Sequence, residues 1–201
     1  MCDSIIKKLC FLALLLGVLQ SSFSQKENRN ICYFVQEKQS YASLVPANDY
    51  ATFVDSIKFY AGKLGVPYTW LLAITSHESE NTATAKNPYS TATGILQFTK
   101  STAKLLGTSI SAIKRMNRTQ QVRYVYKYFL IGKEKYGNCQ SLTQMYIFAL
   151  LPNQTPYHNK PNHILMKKGD LYYAGNSGLD TDKNGSVQVF EITNRINKRL
   201  K

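Results

Sequence analysis

The spacing of apolar residues along the chain predicts a protein built from helices. In residues 47–63, Phe53 and Ile57 recur at the spacing of one helix face, and Gly65 ends the segment. A second helix is predicted over residues 67–78, where a proline suits the first turn. Further helices are predicted at residues 94–106, 118–135, 140–151 and 192–200. No strand pattern of any length appears, so we expect an all-α fold.

The first 24 residues have the pattern of a secretory signal peptide. Lys7 and Lys8 precede an unbroken apolar run at residues 9–19, and the small-x-small sequence at residues 22–24 predicts cleavage near Ser24 and Gln25. The run is shorter than the roughly 20 residues that a membrane span needs, so no anchor is expected after cleavage. An exported protein, periplasmic or extracellular, is therefore predicted. Its expected parts are the signal (1–24), an N-terminal arm (25–46), a helical core (47–152) and a C-terminal segment (153–201).

The chain is strongly basic, with 25 Lys and Arg against 12 Asp and Glu and a net charge of +13. Such a surface favours polyanions. An exported protein meets little nucleic acid, so anionic envelope material is the expected partner, and we expect a monomer. Two cysteines remain after signal cleavage: Cys32 and Cys139 either pair in an oxidising compartment or are unrelated thiols.

Glu78 is the candidate catalytic acid. With Leu71, Ile74 and Thr75 it lies at positions i, i+3, i+4 and i+7, so its carboxyl faces the core at the C-terminal end of the helix. Burial and the negative end of the helix dipole both raise a carboxyl pKa. A carboxylic acid still protonated near neutral pH is what glycosidic cleavage requires. Most glutamates near helix ends are solvated instead, and Glu80 is expected to face solvent.

The segment from His77 to Gly107 resembles the catalytic core of soluble lytic transglycosylases and related lysozyme-like peptidoglycan hydrolases, particularly the phage-associated branch. The likeness rests on the Glu78-Ser79 pair and on the later Gly-Ile-Leu-Gln turn at residues 94–97. It implies a lysozyme-like fold that cleaves peptidoglycan glycan strands, with Glu78 as acid and then base. It further implies that Ser79 shapes the turn and binds substrate and that Gln97 reaches the sugar; the alternative for Gln97 is a polar residue at a helix start.

Acids are scarce around this segment, since the chain holds no Asp or Glu between Glu80 and Glu134. A two-carboxylate glycosidase needs a second acid roughly 5–10 Å from the first. The resemblance implies that one acid suffices, because the muramyl acetamide and C6 hydroxyl complete the reaction and leave a 1,6-anhydro end. The alternatives are a muramidase that recruits Glu80 or a remote Asp, and a non-catalytic glycan-binding envelope protein.

The sequence departs from the family on a later helix. Many relatives carry Ala-x-x-Tyr-Asn-Ala-Gly there, with the tyrosine hydroxyl on the catalytic glutamate. Here residues 144–152 read Gln-Met-Tyr-Ile-Phe-Ala-Leu-Leu-Pro. Tyr146 is the candidate, but alignment on Pro152 places Phe148 at that position, without a hydroxyl.

Residues 180–191 match a twelve-residue EF-hand loop. Gly185 stands at position 6, where the loop turns sharply, and Val187 supplies the apolar position 8. The expected Ca²⁺ ligands are Asp180, Asp182, Asn184, the Ser186 carbonyl, Gln188 through a water, and Glu191. The alternatives are a surface turn that matches by chance and a calcium-binding secreted protein unrelated to glycans. A lone loop of this kind predicts a structural role for the ion.

Overall fold

The structure is a computed structural model that describes residues 50–88 and 90–200. The predicted signal peptide, the N-terminal arm and Cys32 lie outside the described residues. The α-helices are α1 (Tyr50–Leu64), α2 (Tyr68–Ser79), α3 (Lys100–Leu105), α4 (Ile110–Arg115), α5 (Arg118–Tyr136), α6 (Leu142–Leu150), α7 (Tyr173–Asn176) and α8 (Val189–Asn197). Short 3-10 turns cover Pro152–Tyr157, Ser177–Leu179 and Lys198–Leu200, and two strands are β1 (Ile164–Lys167) and β2 (Ser186–Gln188). The prediction of a mostly helical, lysozyme-like fold is confirmed.

Polar caps set where four of the helices begin. In each, a side-chain oxygen accepts a hydrogen bond from a backbone N–H in the first turn, which satisfies a donor that has no partner inside the helix. The caps are Thr99 for α3, Ser109 for α4, Asn117 for α5 and Ser141 for α6. The helix predicted at residues 94–106 was wrong in its first half, because residues 94–97 form a tight turn and the helix starts only after its cap. Helix α4 was not predicted.

The core centres on the packing of α1 against α5. Phe53 and Ile57 on α1 are fully buried, as are Val122 and Val125 on α5. Burying each such side chain contributes about 1.5–3 kcal/mol to the free energy of unfolding. The helical spacing seen in the sequence therefore does correspond to the buried face of α1.

Strands β1 and β2 form a small antiparallel sheet. This sheet was not predicted, because no strand pattern appears in the sequence. Its register pairs Ile164 with Gln188, Met166 with Val187 and Lys167 with Ser186. The strands have four and three residues, too few for an alternating pattern to be read. Their pairing is a long-range contact that only the fold creates.

The C-terminal residues pack onto the rest of the helices. Helix α8 lies against α6, and the last 3-10 turn lies against α2. The Thr143 hydroxyl donates to the Thr193 hydroxyl across the first of these contacts, at 3.1 Å. The boundary predicted at residues 152 and 153 stays a prediction, as do the other domain limits.

Cys139 is half-buried, and its thiol donates to the Ser141 carbonyl at 3.3 Å. Its pairing with Cys32 stays a prediction. Within the described ranges, no helix has both the length and the apolar character needed to cross a bilayer.

Candidate active site

Glu78 occupies the last turn of α2. Leu71, Ile74 and Thr75, which share its face, are fully buried. Burial raises the pKa of Glu78 from 4.5 to about 7, while a side-chain hydrogen bond with Tyr146 acts in the opposite direction. Near neutral pH the carboxyl is therefore protonated in a large share of molecules and able to donate its proton. Glu80 caps the helix in a left-handed conformation (φ 52°) and is exposed, as expected.

Tyr146 supplies the hydroxyl at the carboxyl of Glu78. It lies on α6 with only 3% of its surface exposed, and burial followed by the charge of Glu78 raises its pKa. Phe148, the other candidate, faces elsewhere: its ring packs against Tyr128 at 5.0 Å and over Gly132. The geometry thus favours the first of the two alignments of this helix.

Tyr128 is a second phenol near the acid, and it was not among the residues predicted from the sequence. Burial raises its pKa to about 12, and the charge of Glu78 is the second cause. Its hydroxyl donates to the Phe148 carbonyl at 3.2 Å, so the backbone of α6 holds it. The signal that was overlooked is its place seven residues after the buried Gln121, on the same face of α5.

The Gly-Ile-Leu-Gln segment forms a turn beside the end of α2. Gly94 and Gln97 both have positive φ, at 79° and 49°. Thr93 and Phe98 exchange backbone hydrogen bonds at 3.1 and 2.8 Å across its base. The Gln97 side chain donates to the Gly94 carbonyl at 3.0 Å. Gln97 is therefore a turn residue and not the start of a helix, and its contact with sugar stays a prediction.

Ser79 connects α2 to this turn. Its Oγ lies 3.1 Å from the Ile95 carbonyl and 3.2 Å from the Thr75 carbonyl, so its one proton is donated to either oxygen. The expectation that this serine shapes the turn stays a prediction. Substrate binding by its hydroxyl stays a prediction.

Gln121 fixes the turn from the other side, and no pattern in the sequence indicated this role. Its side chain is fully buried on α5, and its Oε1 accepts from the Ile95 N–H at 2.8 Å. Its Nε2 lies within 3.2 Å of the carbonyls of Ala83, Ile113 and Met116. A Cβ at Gly94 would collide with the Gln121 amide. One buried amide thus joins the loop after α2, the turn and the start of α5.

His77 directly precedes Glu78 on α2. Its ring meets the Tyr146 ring edge to face, with centroids 5.1 Å apart. Burial, followed by the charges of Arg195 and Arg199, lowers the pKa of His77 to about 4.

A second cluster of acids lies in the loop before α8. Oxygen atoms of Asp180, Asp182 and Glu191 lie within 4.8 Å of one another. The Asn184 side chain donates to Asp182 at 3.0 Å, and Gly185 takes the positive φ of 86° that the turn needs. This is the oxygen-rich grouping that hard cations such as Ca²⁺ prefer.

The two remaining predicted ligands lie on β2. Ser186 pairs with Lys167 in the sheet, and ion binding by its carbonyl stays a prediction. The Gln188 side chain donates to the Asn162 carbonyl at 3.1 Å and takes part in capping α8. Its contact through a water stays a prediction.

Comparison with known families agrees with this geometry. Residues 55–145 match the family model described as the transglycosylase SLT domain. This segment is similar to that domain. The match indicates lytic-transglycosylase-type peptidoglycan cleavage in general, with peptidoglycan as substrate and a periplasmic or extracellular place of action. None of the curated proteins compared with the chain matches it significantly. Tyr146 and the acidic loop both lie beyond the matched residues of the SLT domain.

Proposed function

We propose that the protein is a lytic transglycosylase that cleaves the MurNAc–GlcNAc bond with Glu78 as its single acid and base. The observation that carries the proposal is a buried carboxyl whose pKa stands at about 7, at the end of the helix that the SLT domain includes. In the described part of the chain, this pKa is shifted by burial and by the hydrogen bond with Tyr146, and no second carboxylate contributes to the shift. A one-acid reaction suits that environment.

In the first step the Glu78 proton passes to the glycosidic oxygen as the bond to the muramyl C1 breaks. The substrate's own acetamide stabilises the positive charge that develops at C1, which removes the need for a carboxylate nucleophile. The Glu78 carboxylate then accepts the proton of the C6 hydroxyl as that oxygen bonds to C1. The products are a free GlcNAc hydroxyl and a 1,6-anhydro muramyl end, and Glu78 is protonated again.

Tyr146 has a defined place in this cycle. Its hydroxyl donates to the carboxyl and stabilises the charged form, which limits how far burial raises the pKa. An acid with a pKa far above 7 would be protonated but reluctant to release the proton, so the opposing effects leave Glu78 suited to both steps.

Digestion of purified sacculi tests the proposal. We expect 1,6-anhydromuropeptides by mass spectrometry, and Glu78→Gln to abolish them. Glu80→Gln is the matched control, because the same change two residues away alters an exposed residue outside the site. Reducing-end products would indicate a muramidase, and binding to sacculi without products would indicate a glycan-binding protein.

We also propose that the loop at residues 180–191 binds Ca²⁺ in a structural role. Three carboxylates that converge within 4.8 Å repel one another, and a divalent cation removes that repulsion. Strand β2 contains loop positions 7 to 9 and pairs with β1 of the same chain. Strand β1 thus gives this single EF-hand-type loop a neighbouring strand. The residues that would hold the ion are Asp180, Asp182, Asn184, Ser186 and Glu191.

Calorimetric titration with Ca²⁺ tests this site. We expect one ion per chain and a loss of at least about tenfold in affinity for Asp182→Ala, because that change removes one ligand charge. Asp55→Asn is the control, since Asp55 is an exposed acid on α1 that pairs with Lys58. Equal binding by the Asp182 variant would exclude this loop as the calcium site.

We further propose that residues 1–24 direct export and are removed. A peptidoglycan substrate lies outside the cytoplasm, and the Lys-rich start followed by an apolar run suits a cleaved signal. The mass of the protein recovered from the cell envelope tests this. A mature chain that starts at Gln25 is expected, and a full-length chain would contradict it.

A further inference from the structure

The contact between His77 and Tyr146 is not explained by the one-acid reaction alone. His77 immediately precedes the proposed acid on α2, while Tyr146 lies on α6. Their rings meet at 5.1 Å with an interplanar angle of 88°, the edge-to-face arrangement that aromatic pairs favour. Because Tyr146 carries the hydroxyl that reaches Glu78, whatever holds its ring also holds that hydroxyl.

The ring of His77 is held by packing. Its Nδ1 is buried and has no hydrogen-bond partner in the described residues. A nitrogen without such a partner does not fix the orientation of the ring. The edge-to-face contact therefore accounts for its placement, and a ring without nitrogen is expected to fill the same space.

The C-terminal residues face the same pair. Arg195 on α8 acts on both His77 and Tyr146, and Arg199 in the last 3-10 turn acts on His77. With Glu78 on the same helix and Tyr146 on α6, these are the charged and titratable groups that face the imidazole from the elements packed around it. The two arginines oppose a positive charge on the ring. An imidazolium here would favour the carboxylate form of Glu78, which is the wrong form for a proton donor.

We propose that His77 is a positioning residue of the catalytic site: its uncharged ring holds the Tyr146 phenol against the Glu78 carboxyl, and the C-terminal segment encloses that pair. The inference rests on the proposed role of Glu78. It adds to the reaction centre a residue that touches no substrate and a segment that lies beyond residues 55–145.

A double-mutant cycle tests the inference, with the Glu78 pKa followed by carbon NMR on protein labelled at glutamate carboxyls. Tyr146→Phe is expected to raise that pKa, because the hydrogen bond that stabilises the charged carboxylate is lost. His77→Leu is expected to raise it in the same direction, by less. In the Tyr146→Phe background, His77→Leu is expected to have no further effect, because its route to Glu78 is already removed.

Kinetics on sacculi supply the second readout. We expect His77→Leu to lower kcat about tenfold, within the range by which positioned acid catalysis contributes, and to change KM less than twofold. His77→Phe is expected to restore kcat to within about threefold of the natural protein, because the edge-to-face contact returns. His77→Met replaces the leucine variant if circular dichroism shows that the latter does not fold.

Two results would overturn the inference. One is an undiminished effect of His77→Leu in the Tyr146→Phe background, which would mean that His77 does not act through the phenol. The other is a His77→Phe variant as impaired as His77→Leu, which would mean that a ring nitrogen is needed. If the natural protein releases no muropeptides, the proposed function fails, whereas the NMR cycle still decides whether His77 positions Tyr146 against Glu78.

Discussion

The two acidic centres of this protein shift the pKa of a carboxyl group in opposite directions. At the end of α2 a single carboxyl is buried, and its pKa rises to about 7. In the loop before α8 three carboxyls converge, and hydrogen bonds from Tyr173 and from the backbone hold the pKa of Asp180 below its usual range. Glu78 and Asp180 each accept a hydrogen bond from a tyrosine hydroxyl, so that contact does not decide whether the pKa rises or falls.

The deciding difference is the number of hydrogen-bond donors that each carboxyl has. Asp180 accepts from the N–H groups of Asn184 and Gly185 as well as from Tyr173, at 2.6 to 3.1 Å. Glu78 has Tyr146 alone among the groups that lower its pKa. Desolvation therefore prevails at Glu78 and favours a proton donor, while donors prevail at Asp180 and favour a negatively charged ligand.

The largest expected effect separates the two centres by activity. Glu78→Gln is expected to lower kcat at least about a thousandfold, since it removes the only proton donor and acceptor of the reaction. Asp182→Ala, in the loop, is expected to leave kcat within about threefold in the presence of excess calcium. Muropeptide release from sacculi measures both, and a loop variant as inactive as the Glu78 variant would mean that the two centres act as one.

A glycine comparison separates packing at the turn from backbone strain. Gly94→Ala is expected to cost about 2–4 kcal/mol in the free energy of unfolding, because a Cβ there meets the Gln121 amide and φ is 79°. Gly107→Ala is the matched control, with φ of 72° and open space around it, and about 1 kcal/mol is expected. Denaturant unfolding measures both, and equal losses would show that Gln121 does not hold the turn.

The pH dependence of stability tests burial at Glu78 directly. The folded-state pKa of about 7 exceeds the ordinary value of 4.5, so the folded state binds the proton more tightly. The contribution of Glu78 to stability is therefore complete below pH 4.5 and is lost as pH rises to 7, with an expected cost of about 3 kcal/mol above that. Glu78→Gln is expected to abolish that loss, so the inactive variant should be the more stable protein at pH 8. If stability depended on pH in the same way for Glu78→Gln and for the natural protein, the Glu78 carboxyl would lie in water.

Chelation tests the loop at residues 180–191, where the expected effect is on stability more than on activity. Removal of Ca²⁺ is expected to lower the Tm by several degrees, because binding to the folded state alone adds free energy of unfolding. The initial rate on sacculi is expected to change proportionally less. Thermal scans and rate measurements with and without chelator check this, and a rate that collapses while Tm holds would place calcium at the reaction centre.

The smallest expected effect concerns Tyr128. Tyr128→Phe removes a hydrogen bond to the Phe148 carbonyl and is expected to cost about 1 kcal/mol in stability with less than a threefold change in kcat. Matched unfolding and kinetic measurements check this. A large loss of kcat would instead make this phenol a participant in catalysis.

Much of α2 was predictable because helix periodicity is local. Leu71, Ile74 and Thr75 share a buried face, and that repeat alone predicted that Glu78 faces the core. The turn at residues 94–97 was predicted from family resemblance, while the apolar spacing assigned the same residues to a helix. The error arose because the turn is held through the Ile95 N–H by the Gln121 amide, which is distant in sequence.

The sequence by itself determined the helical class, the face of α2 that enters the core, and the order of oxygen donors in the loop at residues 180–191. Each depends on spacing within a few turns or within one loop. Only the tertiary structure decided that Tyr146 and not Phe148 reaches Glu78, that His77 packs on that tyrosine, and that β1 pairs with β2. These contacts join residues that are 19 to 69 positions apart. Their geometry follows from how whole helices pack, which no local pattern records.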